Sequence, residues 1–244
     1  DSKKFLGYEG PLSGEKVIEI ICSQESAARF ISRHLYHSFV ADEVGVPSWN
    51  EIAPKDPEAI QILIDAYFKY DHSIKEMLRV LFNSEFFKSP KVRYGRIKSP
   101  AELAVGLLRI SKEFSIPNRD MIIKNRRVQY MGQQLNDPPS VEGWHEGEEW
   151  VDTGTLMERV NFASEQLGDM KNTGISQLVS KIEKSMSNSS PEELIAMCAR
   201  HMGLIELSTE TKESLKELAN TLNDTSTKIP AMLRMIGASR EYQR

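Results

Sequence analysis

The chain has 244 residues, 40% of them hydrophobic and 27% charged, which is enough apolar material for one large helical domain or two small ones. Its formal net charge of −4 provides no overall field for nucleic acid or anionic lipid. No apolar run reaches the ~18 residues that span a bilayer, and the two cysteines, Cys22 and Cys198, lie far apart among apolar residues, as two buried free thiols would. The chain opens on Asp1 with nothing like a signal peptide. It therefore reads as a piece of a longer protein, and the missing export signal leaves the compartment open.

Strand grammar is nearly absent: there is no sustained period-two alternation and no Asn-Gly or Asp-Gly turn. Helical periodicity and start signals predict helices over 14–23, 25–41, 57–70, 73–87, 100–115, 119–132, 155–167, 175–186, 191–202, 209–223 and 228–239. In 25–41, Ala27, Ile31, Leu35 and Phe39 form one apolar stripe, and Arg29, Arg33 and His37 form another. Ser73 with Glu76 reads as a capping box, as does Thr155 with Glu158. Ser99-Pro100-Ala101-Glu102 and Ser190-Pro191-Glu192-Glu193 combine a capping Ser, Pro at the first helical position and a Glu that reaches back to the cap's amide. In 100–115, apolar residues cover most of the circumference. That helix is expected to be central, with Gly106 at a close crossing.

Two loops, 42–56 and 133–153, exceed the ~12–15 residues usual for unstructured connections and are expected to be packed or functional. The second carries Trp144 and Trp150 among Pro138, Pro139, Gly143 and Gly147. The Gly- and Asn-containing stretch 168–174 suggests a core domain over 1–170 and a C-terminal helical subdomain over 171–244, unless the two are continuous. Met77-Leu78-Arg79-Val80-Leu81 with Ser84-Glu85-Phe86 is echoed by Met232-Leu233-Arg234-Met235-Ile236 with Ser239 and Glu241-Tyr242. Each reads as a helix ending in a Ser turn that docks an aromatic. The fold class is all-α: a multi-helix bundle or array with long ordered loops and little or no β structure.

Ala28-Arg29-Phe30-Ile31 with Leu35-Tyr36, Lys98-Ser99-Pro100 with Glu102-Leu103, Met131-Gly132-Gln133, the stretch from Pro138 to Phe162, and the closing Ser239-Arg240-Glu241-Tyr242-Gln243 carry a resemblance covering nearly the whole chain. They resemble the large bacterial family catalogued as domain of unknown function 1800. The resemblance implies a helical protein, usually longer than this chain, of which this would be the C-terminal part. Many members look exported, which implies a periplasmic or extracellular setting. They are often encoded beside a family resembling sulfatases. No reaction comes with it. Asp152 and His145 depart from the family's usual pattern in the loop.

Trp144 and Trp150 are candidates for a platform under a sugar ring or polymer, or else plugs beneath a packed loop. His34 and His37, spaced i,i+3 with Asp42 and Glu43 following, are the weak candidates for metal ligation; His72, His145 and His201 stand alone. Arg29, Glu102, Arg159 and Asn161 sit beside strongly apolar positions. They read as an ion-pair and hydrogen-bond network locking the loop, with Arg29 pairing to Glu25, or as part of a site in which Glu102 and Asp152 act as acid and base and Arg159 as a clamp. The basic stretches Lys88 to Lys98 and Lys124 to Arg127 suit a solvated surface or an acidic polymer. Nucleotide, dinucleotide, zinc-ribbon and serine-hydrolase motifs do not occur, and no cofactor is expected. The preferred expectation is a non-catalytic binding or scaffold domain with a protein partner or a surface polymer. The alternative is a hydrolase or lyase acting on a polysaccharide, sulfated or peptide substrate.

Overall fold

The structure is a computed structural model that describes residues 2–144, 146–185, 190–204, 206–222 and 224–244. The chain is an all-α array with one small β-ribbon among the described residues, and it divides into two compact units, 1–96 and 97–244. Both sides of the stretch 168–174 lie within the second unit.

The first unit opens with β1 (Lys3–Phe5) and β2 (Tyr8–Gly10), paired antiparallel with Phe5 opposite Tyr8. The turn between them places Leu6 and Gly7 at φ 45° and 85°. Positive φ at both central residues suits the right-handed twist of a two-residue hairpin. A leucine in the first of these positions carries none of the usual Asn or Asp signal, so the ribbon was not foreseen. Then follow α1 (Gly14–Cys22), α2 (Glu25–Phe39), α3 (Pro57–Lys69), α4 (Ile74–Asn83) and α5 (Glu85–Lys88). The expected helix 73–87 is two helices, because Ser84 takes an extended conformation and caps the second by accepting from the Phe87 amide. The Ser73 cap is present.

The core of this unit gathers Tyr36, Ile60, Leu63, Ile64, Met77 and Leu81. The stripe that α2 buries runs one residue later than expected, through Ala28, Ser32 and Tyr36, while Ile31 and Leu35 are half-buried and Phe39 is exposed. Burial of Arg33 on the same helix rotates the face inward.

The second unit comprises α6 (Pro100–Ser111), α7 (Met121–Tyr130), α8 (Thr153–Gly168), α9 (Thr173–Ser185), α10 (Pro191–His201), α11 (Thr209–Thr221), α12 (Thr225–Ala238) and α13 (Arg240–Gln243). The helix ends expected at 186 and 223 adjoin or fall on residues outside those described. Both Ser-Pro starts form full capping boxes, at Ser99 with Glu102 and at Ser190 with Glu193. α12 lies along α8, closest where Gly237 meets Ala163 and Leu167.

α6 packs against α7, α8 and α9, yet Val105 is half exposed and Gly106 faces open space rather than a crossing. The close approach is at Gly174 instead, where a side chain would strike the backbone of Ile110 and Ser111. The Ser239 turn repeats the Ser84 construction: it ends α12 and caps α13 through the Tyr242 amide. Both cysteines are free thiols. Cys198 is buried, which pushes its pKa up to about 12, and Cys22 is partly buried.

Candidate functional site

The Trp loop is anchored at three points. At its start, Gly132 turns the chain with φ 99°, and the edge of the Trp150 ring lies 3.8 Å from where a side chain there would begin. Beside it, the buried Gln133 Oε1 accepts from the Ala101 amide at 2.9 Å, so the end of α7 caps the start of α6. At its end, Thr155 Oγ1 donates to the Trp150 carbonyl at 3.0 Å. Trp150 is only 5% exposed and is a plug. Trp144 is half-buried, and its Nε1 donates to the Gln134 carbonyl at 3.1 Å. His145 lies outside the described residues.

The two acidic candidates are engaged at helix starts. Glu102 Oε2 accepts from the Ser99 amide at 2.7 Å, and its own amide donates to Ser99 Oγ. Asp152 is the N-cap of α8, three residues before the cap expected at Thr155. Its Oδ1 accepts from the Thr155 amide at 2.8 Å and the Thr155 hydroxyl at 3.0 Å, and these bonds hold the carboxyl below its ordinary range. Asn161 is exposed on α8, and Arg29 is exposed in the first unit, paired with Glu25 one turn earlier as expected.

Arg159 is completely buried and has no carboxylate partner among the described residues. Its Nε donates to Gln243 Oε1 at 2.8 Å, and one terminal nitrogen donates to the carbonyls of Lys98 at 2.8 Å and Gln243 at 3.2 Å. The other terminal nitrogen, NH1, is buried without a hydrogen bond. Burial brings the guanidinium down to about 10, against the field of Glu102.

Lys98 lies beside it. Burial, and then the charge of Arg159, brings its ammonium down to about 8. Its Nζ donates to the carbonyls of Tyr242, at 2.6 Å, and Arg244, and lies 5.0 Å from the Tyr242 ring centre.

The partner surface is the C-terminal peg, in which Glu241, Tyr242 and Gln243 are all buried. Gln243 Nε2 donates to the Gly237 carbonyl at 2.8 Å. Glu241 accepts from the Ser208 amide at 2.8 Å and the Thr211 hydroxyl. Burial alone would raise its carboxyl, but these bonds outweigh it and hold the carboxyl low. Lys98, Gln133 and Gln243 were legible as parts of motifs, but no spacing rule joins residues 61 and 84 positions from Arg159.

The first unit holds a contrasting buried arginine that the sequence marks only as one of a stripe. Arg33 donates to Glu43 Oε2 through Nε at 3.0 Å and a terminal nitrogen at 2.7 Å. It also reaches the carbonyls of Trp49, Ile52 and Ala53 and stacks 4.8 Å from the Trp49 ring centre. His34 packs 4.6 Å from the same ring, and His37 Nδ1 accepts from the Glu43 amide at 3.0 Å. Both histidines thus belong to the packing of loop 42–56. Among the described residues no three His, Cys, Asp or Glu side chains gather as metal ligands would.

A polar cavity of about 500 Å³ in the second unit is lined by Glu113, Lys124, Glu165, Asp169 and Arg234, with Gln166. Glu113 Oε2 is buried 2.9 Å from Lys124 Nζ but off the line of a hydrogen bond. Arg127 pairs with Glu158 and Glu165, so two cations of the stretch Lys124 to Arg127 are committed to ion pairs. No helix among the described residues is long and apolar enough to cross a membrane.

A family model described as "Protein of unknown function (DUF1800)" matches residues 1–244. No curated protein and no solved structure matches the chain.

Proposed function

Because the chain belongs to the DUF1800 family of proteins of unknown function, which supplies no reaction, we propose from its geometry that it is a non-catalytic binding domain whose partner is a protein. The observation that carries this reading is α7. Only Val128 of its ten residues is buried, while Ile122 and Ile123 are each 57% exposed and Tyr130 is 64% exposed. A helix tied down by Arg127 with its apolar residues turned outward is what an interface helix presents. The exposed Val141 of the Trp loop and Met157 of α8 add apolar surface in the same unit. The engagement of Glu102 and Asp152 as caps agrees with a binding role. A setting outside the cytoplasm, and a sulfatase-like protein as the first partner to try, rest on the family resemblance.

The test is a photo-crosslinking residue at Ile123 of the full chain, mixed with the purified sulfatase-like neighbour. The expected result is a one-to-one adduct that is lost in Ile122→Glu and reduced by excess uncrosslinked chain. An adduct unchanged by Ile122→Glu, or none at all, overturns the reading for this partner and face.

One observation favours a second reading, a hydrolase or lyase. Glu113 is half-buried, with one carboxylate oxygen buried beside Lys124 in the polar cavity, which is the arrangement of an acid/base pair. Turnover of a polysaccharide, sulfated or peptide substrate that disappears in Glu113→Gln would establish it.

A further inference from the structure

We propose that the polar cavity of the second unit binds a small zwitterion with a polar side chain, a free amino acid or a dipeptide, with Arg234 taking its carboxylate and Asp169 its ammonium. This is the cavity of the second reading above, but binding requires no turnover there and rests on the lining groups alone. Small-molecule pockets are lined mainly by apolar and aromatic side chains. This cavity has a volume of about 500 Å³, and among the described residues no apolar side chain lines it. An apolar body would leave the lining groups desolvated and unpaired, so the occupant is polar on every side. A sugar ring also offers C–H faces, for which the lining has no counterpart.

Five charged side chains line the cavity, and three are already engaged: Lys124 lies 2.9 Å from Glu113, and Glu165 pairs with Arg127. Arg234 and Asp169 remain, opposite charges in one cavity with no ion pair to each other or to any other described residue. Arg234 Nε donates to Ser164 Oγ at 2.9 Å, and its two terminal nitrogens have no partner among the described residues. Its path runs over Gly168, where a side chain would begin only 2.8 Å from Arg234 Cδ. A guanidinium anchored this way keeps its terminal nitrogens for the two-pronged bond to a carboxylate. Asp169 Oδ1 accepts from the Lys171 amide at 2.9 Å, which leaves the other oxygen for an ammonium. A simple anion would leave Asp169 unmet, and a simple cation would leave Arg234 unmet.

A second observation points to the same occupant. Gln166 is only 3% exposed, yet it lines the cavity. Its Oε1 accepts from the Ser111 hydroxyl at 3.3 Å, whereas its Nε2 donates to no described residue. Buried side-chain amides are ordinarily satisfied, so a free donor facing a cavity calls for a polar occupant there. The Gln166 amide thus suits the carbonyl of a polar side chain or of a peptide bond.

The experiment titrates the full chain with L-glutamine, L-arginine and glycyl-L-glutamine, read by amide NMR shifts of residues 164–172. At least one is expected to bind. The carboxamide of that ligand, which lacks the negative charge, and its N-acetyl derivative, which lacks the positive charge, should each bind about tenfold more weakly. Arg234→Gln, at an exposed position, should weaken the zwitterion about tenfold and abolish its advantage over the carboxamide. Gly168→Ala, which displaces the Arg234 side chain, should weaken it too. Arg200→Gln on α10 should leave it unchanged. No binding by any of the three ligands, a singly charged derivative that binds as tightly as its parent, or an Arg234→Gln chain that binds as tightly as the unaltered one would overturn the site. Binding without turnover leaves the site standing and counts against the second reading of function. None of these variants touches the outward face of α7, so the partner reading stands or falls separately.

Discussion

Arg33 and Arg159 are both buried arginines on helices, 2% and 0% exposed, yet their surroundings differ in kind. Arg33 faces a buried carboxylate in a two-pronged bond and fills its remaining donors with three carbonyls of the loop it holds. Its charge is neutralised where it stands, so the group is committed to structure. Among the described residues Arg159 meets only carbonyl and amide oxygens, has a second cation beside it, and keeps an orphan donor. Dipoles alone compensate a buried charge less completely than a counter-ion does. The lesson is that burial of a charge does not tell structure from function. The presence or absence of its counter-charge does.

The largest test of that contrast removes each arginine without changing much volume. Arg33→Met strands the Glu43 carboxylate, whose side chain is fully buried, and should cost about 3–5 kcal/mol in urea unfolding. Adding Glu43→Leu should restore much of the loss, because a matched apolar pair replaces a matched ion pair. Arg159→Met removes a cation that is held by oxygens rather than by a paired carboxylate, along with its hydrogen bonds. It should cost less, about 1–2 kcal/mol. Equal losses for the two single variants would break the comparison.

The sequence made the committed parts of the fold easier to read than the uncommitted ones. Capping at Ser99 and Ser190 is local, each signal lying within four residues, and both boxes are present. The Ser84 and Ser239 turns could be matched by their echo for the same reason. Arg33 was legible only as a polar stripe, since its partner arrives from a loop ten residues on and rotates the helix face by one position. Arg159 stood out beside apolar neighbours, but its true partners are main-chain oxygens of Lys98 and Gln243, which leave no mark in side-chain chemistry. Glu102 and Asp152 read as isolated acids; the cap role is legible at Glu102, whereas Thr155 obscures it at Asp152 by mimicking a cap itself.

The two tryptophans of the loop sharpen the contrast between committed and available groups. Trp150→Ala should cost about 3–5 kcal/mol, since the ring fills space against Gly132 and Thr155. Trp144→Ala should cost about 1 kcal/mol, since the half-buried ring gives up one hydrogen bond and partial burial. Reversed magnitudes would make Trp144, not Trp150, the plug of the loop.

The Lys98 ammonium offers a titration of the uncommitted pair. Its folded-state value of about 8 lies below its ordinary 10.5, so between these the unfolded chain binds more protons than the folded one. Stability therefore rises with pH above about 8. The Cys198 thiol, raised by burial from 9.0 to about 12, opposes this rise partly between pH 8 and 9 and more strongly above it, where the phenols of Tyr36 and Tyr242, also pushed up to about 12 by burial, add to the opposition. Lys98→Met should flatten the rise in Tm between pH 8 and 9. A parent chain whose Tm is level or falling across that interval would show that Lys98 is already compensated.

The smallest effect belongs to the caps, and it bears on whether either acid is available for chemistry. Asp152→Asn keeps an acceptor for the Thr155 amide and should leave Tm nearly unchanged, whereas Asp152→Ala should lower it by about 4 °C or less. Because hydrogen bonds from Thr155 hold the Asp152 carboxyl below its ordinary 3.8, its contribution is present at neutral pH and is lost as pH falls through the depressed value. The difference in Tm between parent and Asp152→Ala should therefore shrink only in strong acid. An acid poised for general catalysis near neutrality has its pKa raised toward the working pH, the opposite displacement. A gap between parent and variant that closes near neutral pH would show the carboxyl to be uncommitted and return it to the candidates for chemistry.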